Sequence, residues 1–280
     1  MIYIYNIVAT REDTMGKYLN CLFLGLQKTV EYRADFFIGY FSVVFPVIIQ
    51  VSVWSAIYKA SGMGEVYGYT YHQMVLYVFF VGVVNRFLGT GFEYEINKDI
   101  KEGGLNKFLI KPINYCGYRL ACFLGEKVTY SIIFFVLLFV TCFIFTIFGY
   151  FVISVIKILL FLISLCLALL LNFATFFCIG LLGLWISEIS RVYSAITIII
   201  SVISGGIFPL DILGSTVNKI LYFLPFRYML QVPVDIITGR NLPYSVFIIL
   251  LVQLFWVVCF FAIAGILWKK GLKKYIAVGG

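Results

Sequence analysis

The sequence has few charged residues and a single histidine. Charged side chains make up 12% of the 280 residues, whereas hydrophobic residues make up 62%. This composition lies far outside the range of soluble globular proteins and is typical of an integral membrane protein. With His72 as the only histidine, a metal site or a histidine-based catalytic pair would need carboxylates or thiols nearby in the fold. The sequence therefore disfavours a membrane enzyme that acts on lipids or peptides.

Two other familiar signatures are missing. The seven cysteines show no C-x-x-C spacing, and most lie in or beside apolar segments, so we expect neither a disulfide framework nor a metal site. The chain also lacks the G-x-x-x-x-G-K-[ST] loop that holds nucleotide phosphates. We therefore expect no bound cofactor and no ATPase site in this chain.

Long uncharged runs are abundant. Crossing the hydrocarbon core takes about 20 apolar residues in a helix. The runs predict an all-α integral membrane protein, with one domain over residues 15–280 and six transmembrane helices at about 36–58, 72–92, 128–148, 158–187, 192–208 and 244–268. Residues 1–14 are expected to form an N-terminal extension, and Met15 is a second candidate start.

Basic residues are distributed unevenly over the connections between these helices. If the N-terminus faces the cytoplasm, 15 Lys and Arg residues lie on the inner side and 5 on the outer side. By the positive-inside rule, this asymmetry predicts that both termini are cytoplasmic. Because the basic residues lie beside the spans, where they orient the chain and meet anionic lipid, the net charge of +8 does not indicate nucleic-acid binding.

The longest polar interruption in the first two thirds of the chain runs from Glu93 to Lys127. Within it, Gly103-Gly104 breaks the chain, and a short helix follows that ends at Pro112. Its apolar residues fall at i, i+3 and i+4 on one face: Leu105, Phe108 and Leu109. Because so short a helix cannot bury this face alone, we expect the face to meet either the lipid interface or a cytoplasmic partner.

Two further features precede this stretch. The segment from Gly16 to Arg33 has one apolar stripe, which predicts a helix lying flat on the inner leaflet: Leu19, Leu22, Phe23, Leu26 and Val30. Arg86 lies in the second span, and an intramembrane arginine is a candidate functional residue. Its position near the end of the span favours a structural role instead, either by reaching the interface or by pairing with Glu93.

The segment from Pro209 to Pro243 is too apolar for a solvated loop. It is nevertheless divided into pieces too short to cross a membrane, by Pro209, Pro225, Pro233 and Gly239. Short re-entrant helices that dip into the membrane from the outside fit this pattern, since such backbone is tolerated at that depth only when it packs against protein or lines a cavity.

Two segments together resemble the permease subunits of type-2 ATP-binding-cassette exporters. They are IKEGGLNKFLIKPIN after the second span and SGGIFPLDILGSTVNKILYFLPFRYMLQVPVDIITG after the fifth. The likeness covers nearly the whole chain from Met15, with an interfacial helix, six spans, a cytoplasmic helix between spans two and three, and outer re-entrant helices before the last span. The first fourteen residues have no counterpart.

The resemblance implies roles for particular residues. The short helix would be the coupling helix that contacts the ATP-binding subunit, through Gly104, Leu105, Phe108, Leu109, Lys111 and Pro112. The helix from Gly16 to Arg33 would be a second contact, and spans two and five of two permeases would line the pathway. An outer gate would be formed by Gly205, Gly206, Pro209, Pro225 and Phe226. ATP and Mg would bind the partner subunit, and the location would be the bacterial cytoplasmic membrane.

The substrate cannot be identified from these residues. The sequence contains 29 Phe and 20 Tyr, which suits amphipathic cargo such as a drug, a peptide or a lipid-like molecule, although aromatic residues also serve as ordinary packing and interface anchors. The second permease of the pair is the same chain or a different one. A non-transporting membrane protein for assembly or immunity is the alternative function.

Overall fold

The computed structural model describes residues 14–31, 33–110, 113–150, 154–186, 189–240 and 242–275. Most of these residues are helical. In chain order the helices are α1 (Thr14–Glu31), α2 (Arg33–Ser61), α3 (Tyr71–Leu88), α4 (Phe92–Lys101), α5 (Asn106–Ile110), α6 (Tyr115–Ile147), α7 (Val155–Leu181), α8 (Ile189–Ile203), α9 (Ser215–Phe223), α10 (Phe226–Met229), α11 (Gln231–Thr238) and α12 (Val246–Leu272). Two strands, β1 (Glu65–Val66) and β2 (Tyr69–Thr70), form an antiparallel hairpin between α2 and α3. Short 3-10 helices cover Leu182–Leu184 and Leu210–Leu213.

Five segments are long and apolar enough to cross a membrane. They are Phe41–Ser61, Tyr71–Lys101, Tyr115–Ile147, Val155–Leu184 and Val246–Leu272. These segments correspond to the first four predicted spans and to the last one. The prediction of an all-α, multi-pass membrane protein is therefore confirmed.

The fifth predicted span, residues 192–208, differs from the others. The structure has α8 at this place, an apolar helix of 15 residues. At about 1.5 Å per residue, a helix of this length is shorter than the roughly 30 Å hydrocarbon core. The helix ends where Ser204 and Gly205 turn the chain, with φ of +87° at Gly205. Five spans are thus supported by length and composition, and the sixth stays a prediction.

The start of α6 differs from the predicted one because charged residues are buried inside the fold. Helix α6 begins at Tyr115 and not near residue 128, with the Asn114 side chain accepting a hydrogen bond from the Gly117 N–H at 3.1 Å. Its first turns carry Arg119 and Lys127, which are 5% and 7% exposed. Uncharged runs do not include these turns, although Arg119 is paired with Glu95 and Asp99 and Lys127 donates to the Gly89 carbonyl.

Helix α7 lies at the centre of the hydrophobic core. Residues 171–180 are all buried, including Phe173 and Phe177. The helices α3, α4, α11 and α12 pack around it. A helix that is apolar on every side is expected at such a central position. By contrast, α2 leaves most of its apolar surface outside the fold, as a lipid-facing helix does.

The segment after α8, from residue 209 to residue 240, is divided into short helices, as predicted. We call it the divided segment. Pro209 precedes the 3-10 helix Leu210–Leu213, Pro225 precedes α10, and Gly239 ends α11 in the left-handed conformation with φ of +71°. Proline suits a position at a helix start because the first N–H groups have no partner there, and glycine suits the end because it adopts positive φ without strain. The predicted breaks at Pro209, Pro225 and Gly239 are confirmed, whereas Pro233 lies in the first turn of α11 and does not interrupt it. The depth of this segment in a membrane stays a prediction.

Candidate functional site

The predicted coupling helix is α5, which lies in the connection between α4 and α6. We call residues Gly103–Ile110 the coupling segment. Gly103, with φ of +72°, turns the chain after α4, and the Leu105 N–H donates to the Asp99 carbonyl at 3.0 Å. Leu109 and Ile110 are 49% and 85% exposed, so this end of the molecule presents two neighbouring apolar side chains.

The structure corrects which residues of this segment are available to a partner. Leu105 was predicted as a buried anchor in a partner, but it is fully buried in the protein's own core. Phe108 packs on the rings of Tyr115 and Tyr118, with centroid distances of 4.9 and 4.6 Å. The i, i+3 spacing correctly predicted that Leu105 and Phe108 share an apolar face, but it did not predict that the protein itself covers that face. Gly104 lies against Asp99, and Lys111 and Pro112 lie outside the described residues.

A cluster of charged side chains supports the coupling segment from behind. Arg119 of α6 donates to Glu95 and, at 2.5 Å, to Asp99, and both acceptors belong to α4. The Tyr115 hydroxyl donates to Asp99 at 2.8 Å and accepts from Arg119 Nε at 3.1 Å. Lys28 of α1 also pairs with Glu95. We call this the Arg119 cluster; it ties α1, α4 and α6 together at the base of the coupling segment.

Helix α1 packs lengthwise on α6 through small residues. A Cβ added at Gly25 would lie 2.0 Å from the Cys122 carbonyl oxygen, and one added at Gly125 would lie 2.0 Å from the Leu22 carbonyl oxygen. The side of α1 that faces α6 carries Cys21, Gly25 and Thr29. Leu19 and Phe23, from the predicted apolar stripe, are more than half exposed. The small residues missed by the stripe analysis thus make the helix contact, since they let two backbones approach closely.

Replacement of Gly25 by leucine is expected to separate α1 from α6. The new side chain meets backbone atoms of Cys122, which cannot move aside as a flexible side chain could, and the cost of such overpacking is about 1–3 kcal/mol or more. Thermal unfolding in detergent should show a clear loss of stability. Gly265→Leu is the matched control, because a Cβ at that position in α12 meets nothing within 4 Å. Equal stability of the two variants would contradict the close packing.

Arg86 and Glu93, the predicted intramembrane pair, lie in different surroundings. The Arg86 guanidinium faces the Tyr130 ring at 5.5 Å and fills the space beside Gly39. Glu93 is 3% exposed, and its Oε2 atom has no hydrogen-bond partner among the described contacts. Pairing with Glu93, one of the two structural roles considered for Arg86, stays a prediction. Because α3 ends at Leu88 and the chain bends before α4 begins at Phe92, the i+7 relation of one continuous helix does not hold.

A second charged cluster lies in the divided segment, at the end of the molecule that carries the hairpin. Arg227 is 1% exposed and donates to Asp211 Oδ1 at 2.8 Å and to the Asn218 side chain. It lies 3.5 Å from Asp235 Oδ2 and stacks over the Tyr222 ring at 4.0 Å. We call these residues the Arg227 cluster. Buried charges of this kind are tolerated only when they are paired.

Asp211 connects the Arg227 cluster to the hairpin and to α11. Its Oδ2 atom accepts from the Tyr69 hydroxyl at 3.0 Å and from Gln231 Nε2 at 3.2 Å, and it pairs with Arg240 at 3.3 Å. One carboxylate thus joins β2, the 3-10 helix Leu210–Leu213, α11 and the turn after it. Arg227 and Arg240 are two of the five basic residues that the positive-inside rule assigns to the outer side, and their charge alone did not predict this network.

The divided segment is also fixed to the long helices by uncharged side chains. Gln253 of α12 donates to the Tyr228 carbonyl at 2.9 Å and to the Ser164 carbonyl at 3.0 Å. Asn172 of α7 donates to the Met229 carbonyl at 3.1 Å. These bonds satisfy backbone groups where α10 ends, which a short helix inside an apolar core requires.

The predicted gate residues lie where this segment meets α3. The Tyr77 hydroxyl of α3 donates to the Gly205 carbonyl at 2.6 Å, and a Cβ at Gly205 would come 2.7 Å from that hydroxyl. Gly206 is buried, Pro209 and Pro225 begin short helices, and Phe226 packs against the core. The structure thus brings the five residues into one region, and their gating role stays a prediction.

The stability of the Arg227 cluster is expected to depend on pH in two separate ranges. Burial raises the pKa of Asp235 to about 7, against the opposing effect of Arg227. Its folded state then holds a proton more tightly than its unfolded state, so stability falls as pH rises from about 4 to about 7. Asp211 behaves oppositely: burial alone would raise its pKa, but Arg227 and Asn218 hold the pKa below its ordinary value. The stability that ionised Asp211 contributes is lost only as pH falls below about 4.

Asp235→Asn tests this pH dependence. The variant should lose the decline in thermal stability between pH 5 and pH 8 and should be the more stable protein at pH 8. Asp211→Asn serves as the control, since it should keep that decline. An unchanged slope in Asp235→Asn would show that this carboxyl does not bind a proton in the range.

These features define a class of protein. The chain is a multi-pass helical membrane protein with an exposed helical segment supported by ion pairs at one end and a compact divided segment at the other. A family model described as ABC-2 family transporter protein matches residues 44–279. The chain therefore belongs to the ABC-2 family of transporter proteins, as an ABC-2-type permease subunit without an ATPase site of its own. No curated protein sequence matches it.

Proposed function

We propose that the chain is the transmembrane subunit of an ATP-driven exporter. Its family supports a transport role, and the observation that carries the proposal is the coupling segment, with exposed Leu109 and Ile110 braced by the Arg119 cluster. A few exposed apolar side chains on a rigid base suit a small interface with an ATP-binding subunit. ATP and Mg bind that partner, and this chain binds no cofactor.

The mechanism follows from how the coupling segment is attached. When two ATP-binding subunits close on nucleotide, they push α5. Because Leu105 and Phe108 are fixed in the core and Asp99 is fixed to Arg119, the push moves α4 and the inner end of α6 together. The long helices then exchange inward-open and outward-open packings as rigid bodies. Differential affinity of ATP for the two arrangements drives the exchange.

The assembly contains two permeases, which are copies of this chain or this chain with a different one. Both termini are cytoplasmic, the membrane is the bacterial cytoplasmic membrane, and residues Gly205, Gly206, Pro209, Pro225 and Phe226 close the outer end of the pathway. The transported substrate is amphipathic, such as a drug, a peptide or a lipid-like molecule, in keeping with the aromatic content of the chain.

A pull-down tests the proposal. The tagged protein is extracted from its native membranes in mild detergent, and the bound proteins are identified by mass spectrometry. We expect an ATP-binding subunit to co-purify, alone or with a second permease. If the protein remains folded and monodisperse but no ATPase is bound, the exporter proposal fails, and a non-transporting role in assembly or immunity takes its place.

A further inference from the structure

A small polar cavity lies where α3 gives way to α4. Its walls come from that junction, from α7 and α8, and from the end of α10, and its volume is about 190 Å³. The apolar side includes Phe176 and Ile200, and the polar side includes the carboxylate of Glu93. A cavity of this size holds several water molecules or a small organic group.

Glu93 is the reason to expect a ligand. Its side chain is buried, and Oε2 is without a hydrogen-bond partner among the described atoms. Thr90 and the backbone at the start of α4 donate hydrogen bonds to this carboxylate, but a buried carboxylate oxygen that keeps no partner is costly and is normally found where it contacts a ligand or a cation. The carboxylate therefore needs a positively charged or hydrogen-donating group that the described protein does not supply to this oxygen.

Three other polar side chains on the cavity wall present acceptors: Asn172, Thr197 and Ser204. The Thr197 hydroxyl donates to the Tyr193 carbonyl at 2.8 Å, and the Ser204 hydroxyl donates to the Ser201 carbonyl at 3.3 Å. Both amide protons of Asn172 are directed to carbonyls, those of Ala168 and Met229. Since their donors are used, these three side chains can only accept further hydrogen bonds.

The nearby basic side chains do not line this cavity. Lys127 donates to the Gly89 carbonyl at 2.5 Å and faces the Phe123 and Tyr130 rings. Arg86 lines a separate apolar groove between α2, α3 and α6. Over the described residues, the cavity thus combines one carboxylate with neutral polar groups, among them Asn85, Thr90 and Ser201, and with apolar walls.

We propose that this cavity binds the ammonium group of an alkylammonium compound, with the alkyl part against Phe176 and Ile200. An ammonium group has three donors and no acceptor, which matches the carboxylate of Glu93 and the oxygens of Asn172, Thr197 and Ser204. The apolar wall favours an organic cation over a bare metal ion. This inference rests on the proposed function in one respect: it makes a cationic amphiphile the transported substrate.

The test measures binding to the purified chain in lipid nanodiscs by thermal unfolding. The probes are hexylammonium chloride, the neutral 1-hexanol and sodium chloride at equal concentration. We expect hexylammonium alone to raise the melting temperature, because only a ligand that prefers the folded state stabilises it. Glu93→Gln should weaken the apparent affinity at least about tenfold, as expected for the loss of a charged hydrogen bond.

Two further variants keep the test decisive. Thr197→Val removes an acceptor but retains the charge and should weaken binding several-fold. Glu102→Gln removes an exposed carboxylate just after α4 and should leave binding unchanged. Equal stabilisation by sodium chloride would make this an inorganic-cation site, and an undiminished response in Glu93→Gln would place the ligand elsewhere; either result overturns the proposal.

The outcome is separable from that of the exporter proposal, because binding to the isolated chain requires no ATPase. A Glu93-dependent response without a co-purified ATPase would leave the site intact and reject the exporter. A co-purified ATPase without any response to hexylammonium would support the exporter proposal and reject the ammonium site.

Discussion

Arg227→Met is expected to destabilise the protein by about 3–5 kcal/mol, the typical cost of breaking a buried ion pair from one side. The arginine is almost completely buried and is held by Asp211 and Asn218. Its removal leaves Asp235 without a paired cation among the described residues and leaves Asp211 with only the partly exposed Arg240. Thermal unfolding in detergent, together with the amount of folded protein in the membrane, measures the loss.

Two controls separate the charge effect from lost packing. Arg240→Met removes the other cation that pairs with Asp211, but the Arg240 side chain is 24% exposed, so a much smaller loss is expected. Adding Asp211→Asn to Arg227→Met should recover part of the stability, since the uncompensated charge is then reduced. If Arg227→Met, Arg240→Met and the double variant all lost the same stability, the cluster would contribute through packing alone.

Glutamate at both Leu109 and Ile110 is expected to abolish ATP-driven transport while leaving the permease folded. These side chains are exposed, so the fold does not depend on them, but a charged group in an apolar interface would remain without a partner. We expect the ATPase to be lost from pull-downs, and its activity no longer to respond to the permease. Protein level and melting temperature should match those of the wild type.

The same substitution at two other positions makes the result specific. Tyr67→Glu places a charge on the exposed turn of the hairpin, at the opposite end of α3, and should leave the ATPase bound. Leu105→Glu puts the charge into the core and should unfold the protein instead of uncoupling it. Normal ATPase binding in the Leu109 and Ile110 variant would refute the assigned interface.

Hydrophobic runs were sufficient to predict α2, α7 and α12, because burial in lipid or in the core demands the same apolar side chains. They failed at the start of α6. Arg119 lies in that helix because Glu95 and Asp99, 24 and 20 residues earlier, neutralise it. Such pairing depends on tertiary contacts, and one sequence does not reveal them.

The candidate site was predictable in position but not in detail. The spacing of apolar residues located α5, yet only the fold shows that Leu105 faces inward while Leu109 and Ile110 face outward. In the divided segment a usable signal was present: Asp211, Arg227 and Asp235 stand in an otherwise apolar stretch, where charges are expected to pair. Arg227 was counted only as a basic residue that orients the chain, so its pairing with the two aspartates was not predicted.

Site-specific photo-crosslinking tests the central claim most directly, namely that the coupling segment contacts an ATP-binding subunit. A benzoylphenylalanine residue is placed at Ile110, and at Tyr67 as the control, and whole membranes are irradiated before the adducts are identified by mass spectrometry. The account predicts an adduct between position 110 and an ATP-binding subunit that is absent from position 67. Adducts with lipid alone at position 110, or the same protein adduct at both positions, would contradict it.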